Sequence, residues 1–243
     1  MRKLVLVLCA VLVLGFGASA ASADTIRLND WILKINSATY DAIGNPILPG
    51  NVNAAGFDFG TGLGTIVVSL STPGNYSLIG YFDHDITGDN NPWDNEWGVV
   101  HGAPVAGQSY QMDVPGCDPL VWDHCVPLSS LYPNITAGAL DNTNHVGSPG
   151  LFDVAMALGW NFSLDADHRA VLTFHIGETL PASAFFLNQH DPLPAGTQGQ
   201  DIYYSSTLDI VETGPGVVPE PSTMLLVGTG LIGLARLGRR KKK

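Results

Sequence analysis

From Leu151 to Leu164 the chain alternates without a break. Phe152, Val154, Met156, Leu158, Trp160, Phe162 and Leu164 share one parity, and Asp153, Ala155, Ala157, Gly159, Asn161 and Ser163 share the other. A period of two over this length describes a half-buried strand, because successive side chains of extended backbone point to opposite faces. Single strands seldom run so long, so a bend or bulge is expected near Gly159. The pattern recurs with Ala170, Leu172, Phe174 and Ile176 inward, and again with Ile202, Tyr204, Ser206, Leu208 and Ile210. Earlier strand candidates are Ile26 to Ile35, Thr65 to Leu70, Tyr76 to Phe82, Trp97 to His101 and Ser109 to Val114. Turn residues separate these runs, as in Gly44-Asn45-Pro46 and Pro73-Gly74-Asn75, and no internal stretch sustains a helical period. Short strands punctuated in this way predict an all-β fold, a single β-sandwich or jelly-roll-like domain. The segment from Val114 to Gly150 is long and rich in Pro, Asp and Asn, so it is either a functional loop or hides a strand or two.

The two ends have a different character. Arg2-Lys3, the apolar run Leu4 to Phe16 and the small residues Ala18 to Ala23 have the order of a secretory signal peptide. An uncleaved anchor is the alternative, but the apolar run is short and a small-residue cleavage site follows it. At the other end, Val218-Pro219-Glu220-Pro221-Ser222 leads into an apolar, glycine-containing run and then a basic cluster from Arg236 to Lys243. As a helix to Leu237 this run would be roughly 20 Å long, shorter than a hydrocarbon core of about 30 Å. Snorkelling basic residues can offset the mismatch, which makes it a weak, temporary transmembrane anchor. The expected organisation is a signal peptide over residues 1–23, a sandwich body over 24–213, a linker over 214–218 and a sorting signal over 219–243.

The C-terminal residues carry a resemblance. Pro219, Glu220 and Pro221, a short glycine-rich apolar helix and a terminal basic cluster, in that order, resemble the PEP-CTERM sorting signal of Gram-negative bacteria. The resemblance covers about the last 25 residues. Arg236 departs from it by interrupting a stretch that is usually apolar. The resemblance implies a transient stay in the inner membrane, processing by exosortase after signal peptidase has acted, and delivery to the cell surface or extracellular matrix. It also implies a setting of exopolysaccharide and biofilm. Blocks in the body, such as Tyr81-Phe82-Asp83-His84-Asp85 and Ile202-Tyr203-Tyr204-Ser205-Ser206, are similar to those of uncharacterised PEP-CTERM proteins. That family brings no enzymatic activity and no catalytic residues with it.

Charge narrows the choice of partners. Between Asp24 and Gly216 there are three basic residues against 21 acidic ones, a formal charge of −18. Such a body repels nucleic acid and anionic lipid, so no nucleic-acid partner is expected. No H-E-x-x-H or G-x-S-x-G motif occurs. The chain is therefore expected to be a non-catalytic secreted surface or matrix protein, with a calcium-dependent carbohydrate-binding module and a secreted glycoside-active hydrolase as alternatives.

Three local features carry candidate chemistry. Oxygen-bearing side chains at Asp83, Asp85, Thr87, Asp89, Asn91 and Asp94 fall at positions one, three, five, seven, nine and twelve of a loop with Gly88 at six, and Glu96 stands two residues later. That spacing lets one short segment surround a calcium ion, while an acidic solvated turn is the plainer alternative. Cys117 and Cys125 flank seven residues, and the only other cysteine lies in the signal peptide. In an oxidising compartment two such thiols are expected to form a disulfide; a metal pair with His124 lacks a second pair of ligands. Trp93, Trp97 and Trp122 lie on or beside loops, where indole faces could stack on sugar rings or serve as lids on their own loops.

Overall fold

The structure is a computed structural model that describes residues 25–87, 95–115, 129–147, 152–192 and 199–213. Among these described residues twelve strands form two six-stranded sheets. They are β1 (Thr25–Ile35), β2 (Ala38–Asp41), β3 (Val52–Asp58), β4 (Leu63–Leu70), β5 (Gly74–Thr87) and β6 (Trp97–His101), then β7 (Gln108–Asp113), β8 (Thr143–Asn144), β9 (Ala155–Leu164), β10 (His168–Gly177), β11 (Phe186–Asp191) and β12 (Gln200–Glu212). The first sheet has the order β2-β1-β5-β9-β7-β8 and the second β3-β4-β10-β12-β11-β6. All pairings between strands are antiparallel except that of β7 with β8. Among the described residues one short helix, α1 (Leu131–Ala137), interrupts the β pattern.

The core lies between the sheets. Leu33, Leu78, Phe82, Met156, Leu158 and Trp160 of the first sheet meet Ile66, Val68, Leu172, Phe174, Leu187 and Tyr204 of the second. These are the residues that period-two alternation turns inward, so the strand pattern and the core are one observation. Ile210 departs from it: the end of β12 leaves its side chain 43% exposed.

A second, smaller core covers the outer face of the first sheet. Ile32, Ile79, Tyr81, Ala155 and Ala157 pack there against Leu131, Ile135 and Leu140. From Ala155 to Trp160 the alternating run of β9 is thus buried on both faces, its small side chains leaving room for the helix. The expected break at Gly159 does not occur, since the ladder between β5 and β9 runs in register from Gly74 to Asp83. Gly159 serves space instead: a Cβ there would lie 2.8 Å from Ser109 Oγ and 3.2 Å from Ile79.

Helix α1 and β8 occupy the long segment after Val114, which therefore holds more than loop. Lys34, buried in β1, donates from Nζ to the Thr136 carbonyl at 3.0 Å. This satisfies one of the carbonyls that a helix C-terminus leaves without an intrahelical partner. No helix among the described residues is long and apolar enough to cross a membrane.

Candidate functional site

The strand expected to end at Phe82 continues to Thr87. Asp83, Asp85 and Thr87 therefore stand on extended backbone, sharing the outer face of the first sheet, and the single-loop arrangement is corrected to that extent. Asp89, Asn91, Asp94 and Trp93 lie outside the described residues, as do Cys117, Trp122, Cys125, Pro219, Glu220 and Pro221.

Two neighbouring segments bring further acids to the same face. A bulge in β1 between Leu28 and Asp30 breaks its parity, so Leu28 and Trp31 both enter the core while Asp30 stays outside. Asp30 then pairs directly across from Asp83. On the other side Asp83 pairs with Ala155, where the ladder ends, and Asp153 lies two residues before it in the segment that enters β9. One carboxylate oxygen each from Asp83, Asp85 and Asp153 lies within 4.8 Å of the others.

Asp83 is the interior member, 1% exposed. Its Oδ2 accepts from Asn29 Nδ2 at 3.1 Å, while its Oδ1 is buried without a hydrogen-bond partner. Burial, then the charge of Asp153, raises its pKa well above the usual carboxylate range, and Asp85 and Asp30 add to the effect. Asp85 is also raised by burial, although Arg27, its partner on β1, pulls the other way. Tyr81, buried beside the cluster, is raised by burial and by Asp83, Asp30 and Asp153.

Glu96 belongs to a different environment. Its Oε1 accepts from the Ile86 amide at 3.2 Å and its Oε2 from Gln189 Nε2, which also donates to the His84 carbonyl at 2.7 Å. The Gln189 side chain, buried on β11 with the parity of Leu187, reaches this carboxyl from the second sheet, and the charge of Asp153 acts on Glu96 as it does on Asp83. Burial pushes Glu96 up to about 9, leaving it a neutral acid at physiological pH. Beside it, fully buried His84 contacts the Gly62 carbonyl through Nε2 at 3.2 Å, and burial lowers its pKa to about 4. Gly62, at φ +73°, is required here because a Cβ would come 2.3 Å from that nitrogen.

Trp97 opens β6 and lies on the outer face of the second sheet. Its ring is 4.4 Å from that of His190, and on the same face His101 stacks on Phe186 at 4.5 Å while Phe186 meets Tyr203 edge-on. His190 Nδ1 and Asn188 Nδ2 contact Asp201 Oδ1 at 2.8 and 3.0 Å. Burial acts to raise Asp201, but the hydrogen bonds from Asn188 and His190 outweigh it and hold the carboxyl below its ordinary value. The result is a strip of rings and fixed polar groups across β6, β11 and β12. A shallow hollow of about 650 Å³ lies elsewhere, at the Asn75 end of β5, lined by Asn36, Ser77, Asn161 and Ser163 with no carboxylate or imidazole among its lining residues.

Alternation places Asp153 on the outward parity but does not join it to Asp85, because strand pairing carries no local signal. Asp30 was hidden by the bulge.

No curated protein and no solved structure matches the chain. Residues 217–241, directly after the sandwich, match the family model of the PEP-CTERM protein-sorting motif, so the chain is an all-β domain bearing a sorting motif that implies export and recognition by exosortase.

Proposed function

We propose that the sandwich is a non-catalytic protein of the cell surface or extracellular matrix, delivered by exosortase and held there by exopolysaccharide. The observation that carries the polysaccharide reading is the Trp97–His190–Asp201 arrangement on the second sheet. Aromatic faces offer apolar surface to the C–H bonds of a sugar ring, and carboxylate and amide groups already fixed by hydrogen bonds can meet its hydroxyls with little loss of freedom. Retention of the full chain on exopolysaccharide from the native host tests this. Trp97→Ala should lose retention while keeping the fold; equal retention of Trp97→Ala and wild type would remove the assignment.

A second reading, a calcium-dependent carbohydrate-binding module, is favoured by the gathering of Asp83 and Asp85 with Asp153. It predicts that EDTA releases the protein from the polysaccharide, and retention unaffected by EDTA would reject it.

A further inference from the structure

We propose that Asp83, Asp85 and Asp153 bind one calcium ion across neighbouring strands of the first sheet, with Asp30 adding charge from β1. This deepens the calcium reading above and changes its ligands: the ion is held between segments distant in sequence instead of within one loop.

Geometry and burial support it separately. Two oxygens on one calcium at 2.3–2.6 Å lie at most about 5 Å apart, and the oxygens of Asp83, Asp85 and Asp153 fall within 4.8 Å of one another. Asp83 Oδ1 is buried and lacks a hydrogen-bond partner, although its other oxygen is satisfied by Asn29. A buried carboxylate oxygen left unpaired among like charges is costly, and a divalent cation is the partner that removes both the desolvation and the repulsion. Arg27 faces Asp85 from β1 and offsets part of its charge. The bulge at Asn29 fits the same reading, since it both keeps Asp30 out of the core and supplies the Asn29 amide that orients Asp83.

The remaining coordination positions go to water or to chain oxygens outside these three residues, as is usual for an ion that takes six to eight oxygens. An ion here ties β1, β5 and the segment entering β9 together at one end of the sheet.

The test uses the full chain in detergent with metal alone and no glycan, so its failure is separate from failure of the polysaccharide reading. Terbium luminescence excited through tyrosine reports the ion directly, because Tyr81 lies beside the carboxylates. Calcium should displace terbium with a dissociation constant on the order of 10⁻⁴–10⁻³ M, and magnesium much less effectively. Asp153→Asn and Asp85→Asn should each weaken calcium at least tenfold, whereas Asp89→Asn and Asp94→Asn should leave it within twofold. In EDTA both cluster variants should melt at or above the wild-type temperature, because a like charge has been removed. Absence of calcium-displaceable terbium, or wild-type calcium binding by both Asp153→Asn and Asp85→Asn, would overturn the site. Loss of binding confined to Asp89→Asn and Asp94→Asn would overturn it in favour of the single loop.

Discussion

The Tyr204 hydroxyl donates to the Gly80 carbonyl at 2.9 Å, linking the second sheet to the first through the middle of the core. Gly80 must be glycine for this contact, since a Cβ there would lie 2.5 Å from the Tyr204 oxygen. Tyr204→Phe should cost about 1 kcal/mol, because it removes a buried hydrogen bond from a carbonyl that also lies in the β5 ladder. Gly80→Ala should cost at least as much in the wild type and less in Tyr204→Phe, where the clashing oxygen is gone. Urea denaturation of the four proteins in a double-mutant cycle measures this; strict additivity would show that the two residues do not interact.

Glu96 predicts a pH dependence. Its folded pKa of about 9 exceeds its ordinary 4.5, so the native state holds the proton more tightly than the unfolded chain. Its contribution to stability is fully present below pH 4.5 and is lost as the pH rises through 9. Glu96→Gln, which does not ionise, should flatten the decline between pH 5 and 9 (about the window set by those two values). Denaturation at several pH values checks this, and a variant as pH-dependent as wild type would contradict it.

Lys34 holds the end of α1 through the Thr136 carbonyl. Lys34→Met keeps much of the buried stem and loses the donor, so about 1 kcal/mol should be lost. The loss should be local, with faster hydrogen exchange in residues 131–137 than in β5 or β9. Uniform acceleration across both sheets would argue against it.

Cys117 and Cys125 are proposed to be joined in exported protein. Closing so small a loop constrains the unfolded chain by at most about 3 kcal/mol, so Cys117→Ala should lower stability modestly. Peptide maps under non-reducing conditions give the answer, and two free thiols would exclude the bond.

Processing is testable by intact mass. Surface protein from the native host should begin at Asp24 and lack the residues after the Pro219-Glu220-Pro221 region. A surface form retaining Lys243 would contradict removal of the sorting motif.

How far the sequence could be read depended on what each residue answers to. The core parity of β9, β10 and most of β12 was legible, because alternation is a local property and burial follows it. Helix α1 was not: its seven residues span about two turns, too few to establish a period, and Pro133 obscures them further. Strands β2, β3 and β11 escaped for related reasons, having mixed or polar faces such as Asn188 and Gln189 on β11. Asp83 and Asp85 were noticed through spacing along the chain. Their companions Asp30 and Asp153 depend on register across strands, and a single bulge residue decides where Asp30 points.

The position of β12 has a consequence for timing. It is the last strand, and it lies between β10 and β11 in the middle of the second sheet. As the chain emerges from its N-terminus, β3, β4 and β10 can pair on one side and β6 with β11 on the other, but no strand pairing joins the two groups within the sheet until Gln200–Glu212 arrives. The sorting motif begins at residue 217, so the five peptide links from Glu212 can hold the finished sheet no more than about 18 Å away. Closure of the sandwich and arrival of the motif at the membrane are therefore nearly one event. Exosortase would meet a substrate that has only just completed its fold, and a cut upstream of Glu212 would undo it.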